Sequence, residues 1–455
     1  MLSVGCVNRK LSGWGRFPVE PCHLYRPEKQ SDLRAILHSG AESSYIPRGL
    51  GRSYGDAALN SDAGAICSVR LNRFLSFDSE TGLMECEAGV SFAEIMRCFL
   101  PRGFFLPVTP GTKWVTVGGA IAADVHGKNH HRQGTISNFV RDFRLLTPAG
   151  EVLTCSPADR GEIFWATIGG MGLTGIILTA RIQLERVESA YVVVDYQRVR
   201  SLSDALSIMD ESDERYRYSV AWVDCLARRD SLRRSVLMRA NHATAAEVAS
   251  RAPKPLALPH RITLNLPFDV PSAALNRFSV GLFNAVYYGL HRNGLPQLVD
   301  FERFFYPLDA IDNWNRMYGK RGFVQHQVVL PVDAGREGLT NLLERLTRAG
   351  RAPFLGVLKR FGDANPGLLS FPMKGYTLAL DLPVDEDLVG FLRQLDDLVR
   401  DYGGRVYLAK DAALRAETFA AMYPNLDRFR ALKQKLDPKS LLSSSLARRL
   451  RIVDG

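Results

Sequence analysis

The sequence predicts an α+β protein with more than one domain. Its 455 residues leave room for two or three domains, because a domain typically contains ~100–200 residues. Strand and helix patterns alternate over residues 31–187. Residues 190–404 instead carry mainly strand signals with a few amphipathic helices, which is typical of a largely antiparallel sheet covered by helices. The two patterns indicate two architectures, followed by a short C-terminal remainder.

The composition is that of an ordinary globular chain. Hydrophobic residues make up 46% and charged residues 23%, which excludes whole-chain disorder, collagen and coiled coil. The longest apolar run, 278–290, is shorter than the ~20 residues that span a bilayer. The first residues lack the basic and apolar stretches of a secretory signal. We therefore expect a cytoplasmic or envelope-associated protein without a transmembrane segment.

The net charge is positive and unevenly distributed. Lys and Arg number 58 and Asp and Glu 48, which gives +10. The excess indicates either a surface for an anionic partner, such as a phosphate ligand or an acidic lipid, or a solvated helical tail. Nucleic acid is not expected, because no basic stripe interleaved with aromatic residues occurs. The excess basic residues of the tail are Arg428, Arg430, Lys433, Lys435, Lys439, Arg448, Arg449 and Arg451.

The cysteines predict neither a disulfide framework nor a metal site. There are seven, an odd number, and no two of them form a C-x-x-C pair. Most are expected to be reduced and buried.

The first region is predicted element by element from its periodicity. A short strand at 44–46 enters a glycine-rich run, and residues 82–90 alternate apolar and polar residues like a strand. Residues 91–100 have helical spacing, with Ser91 as the N-cap. Further along, we predict a hairpin over 139–154 that turns at 148–150, a helix over 162–168 and a strand over 175–186.

The second region alternates strands with few helices. Its clearest helix is 385–402, where apolar residues recur at i, i+3, i+4 and i+7, Asp385 is a plausible N-cap and two glycines follow. Five prolines between 253 and 271 predict a long irregular loop. The last residues predict a strand over 405–409 and basic helices. The predicted strands are 191–196, 219–225, 235–239, 323–332, 354–361 and 375–382.

A G-x-G-x-x-G match at 170–175 does not indicate a nucleotide site. Such a fingerprint needs a strand before it and a helix after it, so that phosphate meets the helix N-terminus. Here a helical segment precedes the glycines and a strand follows them. We interpret Gly170, Gly172 and Gly175 as a tight turn from helix to strand.

Two other small-residue runs could hold a ligand. In the first, three glycines after a strand allow main-chain N–H groups to close around a diphosphate, with Ser53 adding a hydroxyl and Arg48 or Arg52 adding charge; a plain surface turn is the alternative. In the second, Thr116 is a natural N-cap whose helix would direct positive partial charge at a ligand, although a close helix–helix contact would use the same small residues. The runs read P-R-G-L-G-R-S-Y-G-D over 47–56, then P-G-T over 110–112 and T-V-G-G-A-I-A-A-D-V-H-G over 116–127.

Taken together with G-G-M-G-L-T-G-I-I at 169–177, these runs resemble the p-cresol methylhydroxylase/vanillyl-alcohol oxidase (PCMH-type) FAD-binding domain. Further segments resemble the family of the FAD subunit of decaprenylphosphoryl-β-D-ribose 2′-epimerase over nearly the whole chain. They include D-V-H-G-K-N-H-H at 124–131, Q-H-Q at 325–327, K-R-F-G at 359–362 and Y-L-A-K-D at 407–411. The resemblance implies an FAD-binding domain in residues 1–189, an inserted substrate domain in 190–404 and a return to the FAD domain in 405–455.

The resemblance also implies a reaction. In that family, FAD takes hydride from C2′ of a polyprenylphosphoryl ribose to give the 2′-keto sugar, the first half of epimerisation to an arabinose donor for cell-wall polysaccharide. An NADH-dependent keto-reductase subunit completes the inversion. The subfamily pattern implies non-covalent FAD, and the lipid-linked pentose implies peripheral membrane contact.

Roles are implied residue by residue. Lys410, His126 and Tyr54 are the expected catalytic residues; Lys410 would stabilise reduced flavin and orient the sugar, and His126 would hydrogen-bond the flavin carbonyl edge. The hydroxyl proton could go to Tyr54, Lys410 or water. The expected substrate contacts are Trp222, Tyr306, Gln327, Lys359, Phe361, Thr377 and Ala379. The expected FAD contacts are Pro47, Arg48, Gly49, Leu50, Gly51, Arg52, Ser53, Tyr54, Gly55, Gly111, Thr112, Thr116, Val117, Gly118, Gly119, Ala123, Asp124, Val125, His126, Gly127, Ile177, Tyr407 and Lys410.

The chain departs from the mycobacterial pattern in the last substrate-domain strand. Where mycobacterial members read G-W-N-V-C-V-D, this sequence has Thr377 for the asparagine and Ala379 for the cysteine. A catalytic thiol is therefore not required there, and thiol-directed inhibitors should form no adduct at residue 379. Two alternatives remain open: a sugar-lactone or alditol oxidase with the same flavin domain, and a flavin-free binding protein that retains the fold.

Overall fold

The computed structural model describes residues 5–212, 214–226, 234–259, 262–271, 274, 276–291, 293–294, 296–351 and 353–453. The first four residues, and residues 260 and 261 of the proline-rich segment, lie outside this description. The strands are β1 (Cys6–Ser12), β2 (Val19–Tyr25), β3 (Tyr45–Arg48), β4 (Gly64–Cys67), β5 (Phe74–Phe77), β6 (Leu83–Glu87), β7 (Phe104–Phe105), β8 (Val140–Leu146), β9 (Val152–Cys155), β10 (Ile176–Gln183), β11 (Glu185–Arg186), β12 (Tyr191–Val199), β13 (Tyr218–Val223), β14 (Ser235–His242), β15 (Leu264–Asn265), β16 (Gln297–Asp300), β17 (Ile311–Asp312), β18 (Phe323–Pro331), β19 (Gly356–Phe361), β20 (Gly375–Pro383) and β21 (Arg405–Val406).

Helices are interleaved with these strands. The α-helices are α1 (Gln30–Leu37), α2 (Phe92–Phe99), α3 (Val117–Ala122), α4 (His130–Gln133), α5 (Gly161–Thr167), α6 (Leu202–Ser212), α7 (Ala245–Val248), α8 (Arg277–Leu290), α9 (Phe301–Phe305), α10 (Val332–Arg348), α11 (Leu388–Asp401), α12 (Ala416–Met422), α13 (Leu426–Leu436) and α14 (Ser445–Arg449). Short 3-10 helices lie at Leu100–Arg102, Ile136–Phe139, Pro307–Ala310 and Trp314–Tyr318. None of the helices in the described part of the chain has the length and apolar character needed to cross a membrane.

The first region contains two larger sheets and the two-stranded β7–β11 pair. One has the order β1-β2-β4-β3, with β3 and β4 parallel, and the other has the order β5-β6-β10-β8-β9. The predicted hairpin is the β8–β9 pair, in which Leu146 lies opposite Val152. The predicted N-cap at Ser91 is confirmed: its side chain accepts a hydrogen bond from the Glu94 N–H and forms a capping box.

The second region is built on one eight-stranded sheet in the order β16-β12-β14-β13-β19-β20-β18-β21. Its pairs are antiparallel, as the sequence predicts. Side chains alternate across it, as in any strand. On β18, His326 bonds to Asp396 of α11 at 2.8 Å, whereas its neighbours Gln325 and Gln327 line a cavity on the opposite face. One face therefore packs against helices, and the other is available for a site.

Several element boundaries differ from the sequence prediction, and two of these differences have a visible cause. The helix expected from Asp385 begins at Leu388, and its N-cap is Asp387. Asp385 instead accepts the Asp387 N–H at 3.2 Å and pairs with Arg351, so it stabilises the preceding turn. The strand expected over 405–409 contains only Arg405 and Val406, because the main chain then turns away from the sheet.

The C-terminal residues contact the first region. The Ser443 N–H donates to the Tyr45 carbonyl at 3.0 Å, and the Arg449 guanidinium pairs with Asp56 and Asp411 at 2.7 and 2.9 Å. The basic Lys433 is buried against Asp437. Much of the tail's positive charge therefore holds the chain together. The three domain boundaries stay a prediction.

The G-x-G-x-x-G segment is the turn that the sequence predicts. It follows α5 and precedes β10, and both Met171 and Gly172 have positive φ, 53° and 81°. A Cβ at Gly172 would lie 2.9 Å from the Pro47 ring, so the glycine lets this turn pack against the first glycine-rich run.

Candidate functional site

A cavity of about 680 Å³ lies between the small-residue runs of the first region and the open face of the eight-stranded sheet. It has two walls. The main-chain wall is formed by residues 47–54, 109–112 and part of 115–127 together with the turn before β10. The side-chain wall is formed by residues of strands β13, β18, β19 and β20 and of the 407–410 turn. A cavity of this size is in the range that holds a cofactor or a small substrate.

The first glycine-rich run supplies unpaired amides to the main-chain wall. Within the described residues, no acceptor meets the N–H groups of Leu50, Gly51, Arg52 and Ser53, whereas the next one, of Tyr54, donates to the Ala409 carbonyl. Consecutive free N–H groups at a concave backbone are a binding site for anions. This segment therefore fits a diphosphate.

Glycine is required in this run for steric reasons. A Cβ on Gly49 would lie 2.2 Å from the Thr116 Oγ1, and Gly51 has φ +66°, a conformation that L side chains rarely adopt. Gly49 thus allows the two small-residue runs to touch.

Two arginines add positive charge at this end of the cavity. The Arg48 guanidinium donates to the carbonyls of Ser12 and Ala58 at 2.6 and 3.0 Å, and the Arg52 guanidinium stacks on the Trp14 ring at 3.8 Å. Burial lowers the pKa of both side chains. Neither forms an ion pair with a described carboxylate, so their charge is available to an anionic ligand.

The second run contributes a flat surface rather than a helix-terminus site. Thr116 caps α3 as predicted, but the first N–H groups of the helix are already bonded: Val117 to the Val90 carbonyl, Gly118 to the Ala88 carbonyl and Gly119 to the Thr116 side chain. These three amides are therefore not free to bind a ligand, and the positive partial charge expected at the start of this helix stays a prediction. Its small side chains leave room for a flat ring.

His126 lines the cavity, and one of its ring nitrogens has no partner among the described residues. Its Nε2 lies 2.9 Å from the Gln327 Nε2, which also donates to the Thr377 Oγ1 at 3.2 Å. With the amide assigned this way, the His126 Nε2 is an acceptor and Nδ1 carries the proton. The buried Nδ1 has no partner in the described residues. Burial, followed by Lys359 and other nearby groups, lowers the pKa of His126 well below its usual value, so this ring is a neutral donor.

Asp124 lies behind this wall and fixes its shape. It is fully buried, has φ +42°, and its carboxylate accepts hydrogen bonds from Asn365 at 2.6 Å and from Ser370. The Tyr407 hydroxyl donates to the Ala123 carbonyl at 2.7 Å. These bonds hold the 123–126 backbone against the C-terminal turn, and Asp124 itself does not line the cavity.

Three lysines line the cavity. Burial lowers the pKa of Lys128 to about 7, of Lys359 to about 8 and of Lys410 to about 7. Lys128 donates to the Phe304 and Phe305 carbonyls. No described residue accepts a hydrogen bond from the side-chain nitrogen of Lys359 or Lys410. Such a cluster favours an anionic ligand, because a buried cation without a partner is costly. The sequence analysis assigned no role to Lys128, although its position two residues after His126 was a usable signal.

Lys410 lies between an aromatic ring and a carboxylate. Its Nζ is 3.7 Å from the centre of the Tyr54 ring. Besides burial, Asp381 raises the pKa of Lys410 and Lys359 lowers it. Asp381 accepts hydrogen bonds from Gln325 at 2.6 Å and from the Tyr318 hydroxyl at 3.2 Å, and burial raises its pKa to about 6. The sequence analysis did not single out Asp381, Gln325 or Tyr318.

Most of the residues predicted from sequence meet at this cavity. Among the predicted substrate contacts, Trp222, Gln327, Lys359 and Ala379 line it. The other three lie behind the lining: Tyr306 bonds to Thr109 at 2.6 Å, Phe361 packs on the His126 ring at 4.7 Å, and Thr377 accepts a hydrogen bond from Gln327. Two predicted FAD contacts also lie behind it: Val117 is in the core, and a Cβ on Gly55 would lie 1.6 Å from the Asp411 carbonyl oxygen. These five therefore support the site without lining it.

The two walls together suit a molecule with a diphosphate at one end and a flat ring system at the other. Free amides and arginines meet the diphosphate, the α3 surface accommodates the ring, and the His126 Nδ1–H can donate to a ring carbonyl. No group of His, Cys, Asp and Glu side chains in the described ranges could hold a metal ion. FAD has the chemistry that these groups would bind.

Comparison with known proteins agrees with this geometry. Residues 21–156 match the FAD binding domain family, and residues 322–450 match the D-arabinono-1,4-lactone oxidase family. The chain is 39% identical to decaprenylphosphoryl-β-D-ribose oxidase of Mycolicibacterium smegmatis over 456 residues, covering 98% of both chains. It is 24% identical to L-gulono-1,4-lactone dehydrogenase of Mycobacterium tuberculosis, over 96% of this chain and 98% of the relative, and 23% identical to L-gulonolactone oxidase of Bos taurus, over 95% and 96%.

Proposed function

The chain belongs to the family of decaprenylphosphoryl-β-D-ribose oxidase, and we propose that it oxidises the 2′-hydroxyl of a polyprenylphosphoryl-β-D-ribose to the 2′-ketone with non-covalently bound FAD. One observation carries the proposal: a single cavity joins the unpaired amides of Leu50–Ser53 to three buried lysines, of which Lys359 and Lys410 lie on the opposite wall. The first group matches the cofactor's diphosphate, and the second matches the phosphate and hydroxyls of the substrate.

The cofactor would lie along the main-chain wall. Leu50–Ser53 and Arg52 would hold its diphosphate, the surface of α3 would lie against the isoalloxazine, and the His126 Nδ1–H would donate to a ring carbonyl. When bound, FAD supplies the hydride acceptor. We propose that the attachment of FAD is non-covalent. Release of a yellow cofactor into the supernatant after acid precipitation tests this, and retention of colour in the pellet would contradict it.

The substrate phosphate would be bound by lysine. Lys359 has no hydrogen-bond partner among the described side chains and carbonyls, and burial alone lowers its pKa to about 8. A phosphate would replace the hydrogen bonds to water that the Lys359 ammonium loses on burial in the cavity wall. Trp222 and Gln327 line the same space and would position the ribose.

Lys410 would accept the hydroxyl proton. A pKa of about 7 leaves a substantial fraction of its amine unprotonated near neutral pH, which is the range suited to a general base. Tyr54 is less suited, because burial raises its pKa well above the usual value and keeps it a phenol. Once protonated, the Lys410 ammonium would offset negative charge that develops beside it.

The 2′-keto product needs a second reaction if the sugar is to be epimerised. We propose that a separate NADH-dependent keto-reductase takes the product and reduces it from the opposite face, which gives the arabinose donor for arabinan and cell-wall biosynthesis. A coupled assay with such a reductase would yield the 2′-epimer, whereas the oxidase alone would yield only the ketone.

A soluble sugar-lactone substrate is the second candidate, because the lactone oxidase family matches residues 322–450. The buried lysines favour the phosphorylated substrate, since a neutral lactone would leave their charge uncompensated. Anaerobic mixing of the holoenzyme with synthetic polyprenylphosphoryl ribose, and separately with gulono- and arabinono-lactone, tests the choice. We expect flavin bleaching with the first only, and bleaching with the lactones only would overturn the proposal.

A further inference from the structure

A set of exposed apolar side chains lies on α8 and on residues 262–268, and α8 also lines the cavity through Phe283 and Tyr287. Seven of them are between 52% and 84% exposed, far more than most large apolar residues of the described chain. We call them the apolar rim: Ile262, Leu264, Phe268, Phe278, Leu282, Val286 and Leu290. Exposed apolar area of this extent marks an interaction surface.

Helix α8 carries four of these residues on one face. Phe278, Leu282, Val286 and Leu290 follow one another at intervals of four, so they form a stripe about 18 Å long at 1.5 Å per residue. No Asp, Glu, Lys or Arg occurs between Phe278 and Leu290. The stripe is therefore an uninterrupted apolar surface facing away from the protein.

The opposite face of α8 is attached to the site. Asn284 is buried and donates to Asp224 at 2.7 Å, and Val280 is buried beside it. Tyr287 lines the cavity and packs on Trp222, with ring centres 4.8 Å apart. One helix thus has its inner face in the wall of the candidate active site, whereas its outer face has no partner among the residues that the structure describes.

The remaining three members lie on the segment beside β17. Leu264 is opposite Ile311 in a short parallel pair, and Trp314, two residues after β17, lines the cavity. Basic side chains lie alongside. Arg277 is the first residue of α8, and the Arg316 guanidinium donates to the Leu266 carbonyl. Lys320 is close enough for its charge to lower the pKa of Asp269, which forms an ion pair with Arg16.

We propose that the apolar rim docks on a phospholipid bilayer, with α8 lying in the interface and its stripe inserted among the acyl chains. An in-plane helix of this kind buries its apolar face ~5–10 Å deep and gains from basic residues beside anionic headgroups. A second copy fits less well, because it would bring the basic Arg277, Arg316 and Lys320 of both copies to one interface, whereas anionic headgroups would neutralise them. Docking would bring the cavity mouth to the membrane, so that a lipid-linked sugar enters while its chain remains in the bilayer. That last step rests on the proposed function, whereas the docking does not.

Flotation of the FAD-loaded enzyme with vesicles of phosphatidylglycerol and phosphatidylcholine tests the docking. The triple variant Phe278→Gln, Leu282→Gln and Leu290→Gln keeps helix-forming side chains and should lower vesicle binding by roughly tenfold or more. The matched control changes three exposed apolar residues of the first region, Val7→Thr, Val19→Thr and Leu75→Thr, which are 45% to 56% exposed. The control should bind vesicles like the parent protein.

Two outcomes of the flotation would overturn the proposal: the parent protein does not bind vesicles, or the rim variant and the control lose vesicle binding equally. A third would do so as well: the parent protein is a dimer that does not bind vesicles, and the rim variant is a monomer. Flavin absorbance of each variant shows that it is folded. Bleaching by a short-chain, water-soluble phosphoryl ribose separates the two proposals. The flavin of the rim variant should bleach with this substrate as fast as that of the parent protein. If the parent protein binds vesicles but its flavin does not bleach, the proposed function is rejected and the docking is not.

Discussion

The two walls of the cavity achieve binding by different means. The main-chain wall consists of free amides and small residues, and its shape depends on Gly49 touching Thr116. The side-chain wall consists of ionisable groups on separate strands, with Lys359 and Lys410 brought together from residues about fifty positions apart. The charge of the first wall comes from Arg48 and Arg52, whose guanidinium groups do not serve as proton acceptors. The second contains cations that burial makes costly.

The comparison shows why the walls should respond differently to change. Backbone amides keep their polarity at every pH, so the main-chain wall suits a constant cofactor. The lysines have pKa values lowered into the neutral range, so the side-chain wall can bind an anion and also move a proton. Substitution in the first wall should affect cofactor binding, and substitution in the second should affect rate, pH dependence and stability.

The largest effect is expected for Lys410→Met. Flavin reduction by substrate should slow by roughly 10²–10³-fold while FAD remains bound, because the proton acceptor and the charge beside the reacting atoms are both removed. Stopped-flow absorbance measures it. Lys410→Arg is the discriminating control, since arginine keeps the cation but does not release its proton. A rate near normal in Lys410→Arg would show that Lys410 is not the base.

The next largest effect is expected for Gly49→Ala, which should weaken cofactor binding. The added Cβ would lie 2.2 Å from the Thr116 Oγ1, and such overpacking costs ~1–3 kcal/mol. Since the strain falls on the contact between the two runs, FAD affinity should drop by roughly tenfold to a hundredfold. Equilibrium dialysis measures the affinity. The control Gly390→Ala lies on α11, outside the cavity lining, and adds a Cβ that meets nothing within 4 Å, so it should retain FAD.

Lys359→Met should weaken substrate binding while it stabilises the protein. The pKa of Lys359 is lowered to about 8, so between that pH and its unfolded value of ~10.4 the unfolded state binds more protons. Stability from this group therefore rises with pH across that window, and at pH 7 the full penalty is present. Removing the charge should raise the unfolding free energy at pH 7 by about 1–3 kcal/mol. Denaturant unfolding at pH 7 and pH 10 checks the sign: the gain must shrink at pH 10.

Asp381→Asn should shift the acid side of the pH profile of flavin reduction to lower pH. Asp381 raises the pKa of Lys410, so its neutralisation lowers that pKa and keeps the amine unprotonated at lower pH. We expect the midpoint of flavin reduction against pH to fall by about 0.5–1 unit. Tyr318→Phe removes one hydrogen bond to Asp381 but retains its charge, and should shift the midpoint less. An upward shift in Asp381→Asn would contradict the role given to Lys410.

The smallest effect on rate is expected for Ala379→Cys. Ala379 lines the cavity on β20, opposite Gln327, and no reaction step uses it, so the rate should stay within about twofold. Thiol-directed inhibitors should then label residue 379, which the parent protein cannot do. Intact mass after inhibitor turnover measures the adduct. A large loss of rate would show that this position does more than line the pocket.

Local sequence signals predicted much of the fold. Ser91 capped its helix, the β8–β9 hairpin formed at the predicted turn, and the strands of the large sheet appeared near their predicted positions. Each depends on residues close in the chain. The start of α11 was misplaced because several neighbouring acidic residues can cap a helix, and the last strand was too long because only the tertiary structure shows where the chain leaves the sheet.

By itself, the sequence determined which residue types the chain has for binding: the glycine-rich run, the second small-residue run, and Lys359 and Lys410 within their motifs. The tertiary structure decided which groups are free. It bonded the first amides of α3 inside the protein, left those of Leu50–Ser53 unpaired, placed Thr377 and Phe361 behind the lining, and surrounded Lys410 with Tyr54 and Asp381. The reason is that hydrogen-bond partners, burial and pKa shifts depend on distances between residues far apart in the chain, which local patterns do not contain.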